Sequence, residues 1–261
     1  MMKKTLAWVY ILAVFTFIYT PILVLTAMSF NESEYRTFPF KFSLKWYELL
    51  SNNTKLIEGA LNSVYIATLT AVICVVLAIT YMLSYVQAGK RVRKWLNTLT
   101  ILPLTIPWII FGLALLLLLN ALGFNRNMFV LLMGHVVISF PYAALVVKAR
   151  MQEMDLSVLE ASYTLGANEW TTFLRVMFPM IFPAVLAGAF LAFMISVDNY
   201  IISYFLIPPG ISVLPVEIYS SIKFGFTPEI NAVSTIIVAV TLVIILLIIS
   251  IMRSSLKNLI K

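Results

Sequence analysis

Ile230-Asn231-Ala232-Val233-Ser234-Thr235-Ile236-Ile237-Val238-Ala239-Val240-Thr241-Leu242-Val243-Ile244-Ile245-Leu246-Leu247-Ile248-Ile249-Ser250-Ile251-Met252 carries no charged side chain. At ~1.5 Å rise per residue, a helix of this length crosses the ~30 Å of hydrocarbon in a bilayer. Membrane strands would alternate apolar and polar residues over about 10 positions, and this run does not. With no water to satisfy the backbone, a helix is the only open choice. Five more runs of the same kind lie upstream, approximately Leu6–Phe30, Ala60–Val86, Leu96–Leu122, Met128–Val147 and Met180–Ile207. The expected fold class is therefore all-α integral membrane with six transmembrane helices. Pro21, Pro103, Pro107, Pro141 and Pro183 are expected to kink spans, which packed membrane helices tolerate.

The composition agrees. Of the 261 residues 62% are hydrophobic and 11% charged, against roughly a quarter charged in soluble domains. The net charge of +7 raises nucleic acid or an anionic membrane surface as partners. The basic residues sit beside apolar runs, so membrane lipid is the expected partner and nucleic acid is not. The single Cys74 lies inside a run and makes no internal disulfide. Lys3 and Lys4 before a long apolar stretch resemble a signal peptide. The stretch is too long for that and no small-x-small site follows, so it is expected to remain as the first span.

Lys and Arg orient the chain. With the N-terminus inside, Lys3, Lys4, Lys90, Arg91, Arg93, Lys94, Lys148, Arg150, Arg175, Arg253, Lys257 and Lys261 are cytoplasmic. Outside lie Arg36, Lys41, Lys45, Lys55, Arg126 and Lys223, half as many, and Glu32, Glu34, Glu48, Glu58, Glu217 and Glu229 offset them. Both termini are then expected in the cytoplasm. Two long connections, Asn31–Gly59 and Pro208–Glu229, fall outside; Lys148 to Pro179 falls inside.

This inside segment carries the most information. Asp155 and Ser157 are candidate helix caps, and Leu159 to Leu165 suits a short amphipathic helix. Gly166 is a helix stop that tolerates positive φ. A second short helix is expected to run to Phe178, with Pro179 opening the next span at an early position. Glu160-Ala161-Ser162, three residues, Gly166, nine residues, Val176, one residue, Phe178-Pro179 resembles the EAA loop of binding-protein-dependent ABC importer permeases. The departures from that pattern are Ser162 for Ala, Val176 for Ile and Phe178 for Leu.

The resemblance implies a MetI-like type I ABC importer permease fold in one transmembrane domain, with a coupling loop at about 150–179. It implies ATPase contacts at Glu160, Ala161, Gly166, Glu169, Phe178 and Pro179. It further implies a second homologous permease subunit, an ABC ATPase dimer and an extracytoplasmic substrate-binding protein. No Gly-x4-Gly-Lys-Ser/Thr sequence occurs, so ATP-Mg is expected on the partner ATPase. No cofactor, metal or catalytic residue is expected in this chain. An ordinary amphipathic interfacial helix is the competing reading of the loop.

Resemblance continues over Ser196–Phe205 and Leu214–Ala232, which are similar to spermidine/putrescine permeases. Where that group has two adjacent acids, this chain has Asp198-Asn199. Asp198 is also the only acid deep within an apolar run. A carboxylate there normally faces a pathway or a cation. A polyamine is a flexible polycation suited to carboxylates and aromatic faces. The expected pathway residues are Ser196, Asp198, Asn199, Trp108, Tyr200 and Tyr204, and the expected substrate is a polyamine. A structural hydrogen bond remains open for Asp198, and packing or interfacial anchoring for the aromatics. Ala184, Gly188, Ala192 and Ser196 form a small-residue stripe, expected at a subunit interface or the pore wall. His135 is expected to be a satisfied interhelical group. Trp46 is either a binding-protein contact or an interfacial anchor. A permease for another small solute is the alternative within the class. A secondary transporter would need more intramembrane charge than Asp198 and His135 supply.

Overall fold

The computed structural model describes residues 2–34, 38–155, 157–225 and 227–259. Arg36 and Lys261 of the orienting cations, and Leu156 of the inside segment, lie outside the described residues. The helices are α1 (Met2–Ser29), α2 (Lys45–Asn52), α3 (Thr54–Gln87), α4 (Lys90–Thr105), α5 (Trp108–Ala121) and α6 (Met128–Glu153). They continue with α7 (Ser157–Thr164), α8 (Glu169–Thr172), α9 (Phe178–Val197), α10 (Tyr200–Leu206), α11 (Leu214–Phe224) and α12 (Glu229–Leu259). A π-helical turn, Phe173–Met177, joins α8 to α9.

Among the described residues, five continuous stretches are long and apolar enough to cross a membrane: Leu6–Ser29, Thr54–Gln87, Met128–Glu153, Glu169–Val197 and Glu229–Ile251. The sixth expected span is not one helix. It is the pair α4 and α5, bent by 103°. Ile106 is extended at φ −93° and ψ 130°, and Pro107 stands at the N-cap of α5. Proline forces the residue before it out of the helical region and lends no N–H. Pro21, Pro141 and Pro183 lie within continuous helices.

The chain divides into two compact units. The first comprises the described residues of Met1–Ile57 and Ser220–Leu247. Its connection after α1 is folded by an isolated bridge between Asn31 and Phe42. Lys41 N–H donates to Asn31 Oδ1 at 3.0 Å, and the Phe30 ring stacks between those of Phe42 and Tyr47. Trp46 is 2% exposed, and its Nε1–H donates to the Asn31 carbonyl at 2.7 Å. That corrects the binding-protein contact and the interfacial anchor alike. The indole closes the loop and presents no free face.

The second unit comprises Glu58–Tyr219 with the described residues of Ile248–Lys261. Its main core joins α3, α6 and α9 through Cys74, Ala78, Met82, Ala143, Val147, Ile181 and Val185. The small-residue stripe lies inside this packing. Ala184, Gly188, Ala192 and Ser196 are all buried, and a Cβ on Gly188 would stand 3.3 Å from both Cα and O of Ala143. The stripe therefore seats α9 on α6 of the same chain and is not at a pore wall. Gly188→Val should overpack this contact and destabilise the chain by about 1–3 kcal/mol. A thermal unfolding midpoint in detergent equal to that of the parent would remove the close-packing account.

Candidate functional site

Two regions of the second unit hold the functional candidates. The first is the segment between α6 and α9. Asp155 Oδ1 accepts the backbone N–H of Ser157 at 3.0 Å. This bond holds the Asp155 carboxyl below its usual value, so it is ionised at neutral pH. Its contribution is present above the ordinary carboxylate range and is lost as pH falls through the lowered value.

α7 ends in a Schellman motif. Ala167 N–H donates to Ser162 O at 3.1 Å and Gly166 N–H to Tyr163 O at 2.9 Å, with Gly166 at φ +85°. Asn168 then caps α8, its Oδ1 accepting from Thr171 N–H at 2.8 Å. Buried hydroxyls of Ser162 and Thr172 meet at 2.9 Å and tie α7 to α8. Ser162, which replaces the alanine of the resembling motif, thus has its own structural use.

Pro179 stands in the first turn of α9, as expected, but no break precedes it. α8, the π turn and α9 form one rod, because Phe178 N–H reaches back five residues to Phe173 O. Proline removes a donor at 179, and the wider turn absorbs the loss. Arg150 Nε donates to Met180 O at 3.2 Å and joins the end of α6 to this rod. The loop is therefore braced at both roots.

Glu160, Ala161, Gly166 and Glu169 are exposed on this segment. Phe178 and Pro179 are half-buried, Phe178 within an aromatic row from Trp170 through Phe173 to Phe182. Residue reading missed the largest feature of the surface. Leu165 is 88% exposed and Trp170 68% exposed, flanking the Gly166 turn. Neither side chain is held in a core of this chain. The signal was visible in their residue types, within an otherwise polar stretch.

The second region is the break between α9 and α10. Asp198 ends α9 at φ −86° and ψ −2°, and Asn199 caps α10, its Oδ1 accepting from Ile202 N–H at 2.9 Å. The expected span Met180–Ile207 is thus interrupted, without proline, by an asparagine cap. The two neighbours part company. Asp198 is exposed, while Asn199 is 1% exposed. No hydrogen bond or ion pair among the described residues uses the Asp198 carboxylate.

Behind the break lies a buried polar chain. His135 Nδ1 and Ser196 Oγ are 2.8 Å apart, and His135 Nε2 and Ser203 Oγ 3.1 Å apart. Ser203 Oγ donates to the Asn199 carbonyl at 2.7 Å, so it accepts from His135 Nε2–H. The Ser196 hydroxyl beside Nδ1 also reaches Thr70 on α3, donating to its Oγ1 at 3.4 Å, so these three side chains join α3, α6 and α9. His135 is the satisfied interhelical group the sequence suggested, and it clamps the break. Ser196 is 3% exposed and belongs to this clamp, which corrects its placement in an open pathway.

The aromatic candidates separate too. Tyr200 and Tyr204 lie 5.5 Å apart by ring centroid, and Tyr219, unforeseen, packs at a tilt against Tyr200 at 4.4 Å. Tyr204 and Tyr219 are exposed. Trp108 is half-buried against the cluster of Ile66, Leu131, Ile202 and Leu206.

Residues 75–260 match the family described as binding-protein-dependent transport system inner membrane component. The chain belongs to this family. The permease is 32% identical over 238 residues to the spermidine/putrescine transport system permease protein PotC of Haemophilus influenzae, covering 91% of this chain and 93% of that one. It is 30% identical over 246 residues to PotC of Escherichia coli K12, covering 94% and 93%. It is 35% identical over 230 residues to the putrescine transport system permease protein PotI of Escherichia coli K12, covering 85% and 82%. A bacterial ABC transporter involved in the import of the acidic polysaccharide alginate superposes with a TM-score of 0.71 at 16% identity, covering 98% and 95%. The MetNI methionine ABC transporter gives 0.65 at 16% identity, covering 77% and 96%. These likenesses establish the MetI-like ABC importer fold. The permease is a multi-pass transport component of an inner membrane.

Proposed function

We propose that this permease is one half of the translocation pathway of a bacterial polyamine importer, driven by ATPase subunits on separate chains. The observation that carries the coupling half of this reading is the braced loop. Its Gly166 turn presents Leu165 and Trp170 to a partner, with Glu160, Ala161 and Glu169 exposed beside them. Phe178 and Pro179 fix the loop to α9. A dimer of ABC ATPases closing on ATP-Mg would move this rigid lever, and α9 with it.

Polyamine as substrate is supported by three relatives that are spermidine/putrescine or putrescine permeases and by the chemistry at the break. Asp198 offers a carboxylate with no partner among the described residues, and Tyr200, Tyr204 and Tyr219 offer ring faces suited to ammonium groups. Asn199 keeps to the cap, so the missing second acid bears on helix α10 rather than on the charge of the passage. A second, homologous permease subunit completes the pathway. An extracytoplasmic binding protein delivers the polyamine, as suggested by the solved alginate transporter in complex with a substrate-bound periplasmic protein.

Both termini and the loop are assigned to the cytoplasm, on the Lys and Arg asymmetry. Single-cysteine labelling in a Cys74-free background tests this. A cysteine at 223 should react with an impermeant maleimide in intact cells, and one at 160 only after permeabilisation. Reaction at 160 from outside would reverse the orientation.

A further inference from the structure

The C-terminal ends of α3 and α6 and the start of α4, on the side assigned to the cytoplasm, border a half-open cavity of about 190 Å³. A water molecule takes roughly 30 Å³. Arg93, Lys148, Tyr85 and Gln152 supply its polar wall, and methionines such as Met82 and Met154 its apolar wall. Both cations address one ring. Arg93 Cζ stands 5.3 Å from the Tyr85 centroid and Lys148 Nζ 4.8 Å from it. No carboxylate lines the cavity, and no ion pair among the described residues reaches either cation.

Their protein partners leave capacity unused. Arg93 Nη2 donates to Val86 O at 2.7 Å, but its Nε is buried without a partner. Lys148 Nζ donates to Asn97 Oδ1 at 2.6 Å, which leaves two ammonium hydrogens. Two like charges held together over a half-closed cavity repel each other unless an anion joins them.

We propose that this cavity binds a phosphate-bearing anion, held between the Arg93 guanidinium and the Lys148 ammonium. Arginine matches phosphate with paired N–H donors and lysine adds a point charge. Basic pockets between spans at the cytoplasmic boundary suit anionic headgroups, and the methionine wall suits the apolar remainder of such a molecule. A polycation is repelled here, so the cavity is no station for a polyamine. Occupancy has a consequence for coupling. Met151 and Met154 line the cavity and belong to the same core as Leu159 of α7 and Met177 of the π turn. A bound anion braces the root of the coupling loop.

Phosphate chemistry arrives either on an anionic lipid or on a soluble phosphoester, and one experiment separates them. The full chain, delipidated in neutral detergent, is titrated with phosphatidylglycerol, phosphatidylcholine and glycerol 1-phosphate, and adducts are read by native mass spectrometry. Phosphatidylglycerol should be retained over phosphatidylcholine, and Arg93→Gln with Lys148→Gln should weaken retention about tenfold or more. Arg93→Lys with Lys148→Arg should keep most of it, which separates charge from folding. Arg91→Gln with Lys94→Gln, two exposed cations of α4, should leave it unchanged. Displacement of the lipid by glycerol 1-phosphate would assign a soluble phosphoester, and its failure to displace would assign the headgroup. Equal retention by Arg93→Gln with Lys148→Gln and by the parent would overturn the site. So would equal loss in the Arg91→Gln, Lys94→Gln control or in the charge-keeping pair.

Discussion

Gly166→Val should cut ATP-driven uptake at least about tenfold while leaving the chain inserted. A Cβ at this position meets nothing within 4 Å, so the penalty is not a clash. It lies in the backbone. Gly166 stands at φ +85°, where an L-residue pays about 1–2 kcal/mol and a β-branched one is a genuine outlier. About 1.4 kcal/mol is tenfold in an equilibrium. Both closing bonds of the α7 terminus depend on that φ. When they open, α7 and α8 lose their fixed relation, and with it the surface proposed to meet the ATPase. Gly166→Asn is the control, since asparagine tolerates this region; it should keep most of the uptake. Uptake and ATPase co-purification at parental levels in Gly166→Val would end the lever account.

Asp198→Asn should weaken engagement of the polyamine on the order of 10- to 100-fold, from the loss of about 1.5–3 kcal/mol in a hydrogen bond to a charged group. The volume stays the same and only the charge goes. A structural role predicts near-normal transport, because asparagine keeps hydrogen-bonding capacity. The geometry favours charge: the carboxylate is exposed at the α9–α10 break and no bond among the described residues uses it. Asp198→Glu should retain part of the activity. Uptake is followed with spermidine and putrescine at matched subunit levels. Near-parental uptake in Asp198→Asn would take this residue out of the pathway.

How much of this was legible in the residues depends on the range of the interaction. The spans could be read because a bilayer requires long apolar runs, whatever surrounds them. The Gly166 turn could be read because Schellman geometry is local. The break at Ile106-Pro107 was half visible: proline announced a disturbance, but a 103° bend depends on the packing around it. The break at Asp198-Asn199 carried a weaker signal, a cap-forming asparagine inside an apolar run. Trp46 was misjudged because its burial follows from the pairing of Asn31 with Phe42, and no local pattern encodes that pairing. The partners of His135 sit 61 and 68 residues away, so its clamp on Ser196 and Ser203 required the fold.

The central claim is that this permease imports polyamines with energy from ATP. Co-expression with its neighbouring subunits, reconstitution into proteoliposomes and uptake of radiolabelled spermidine and putrescine measure it directly. The account predicts uptake that requires ATP on the cytoplasmic side and the binding protein on the other, and that excess unlabelled polyamine abolishes. Polyamine uptake driven by an ion gradient without ATP, or ATP-driven uptake of a different solute with none of polyamine, would contradict it.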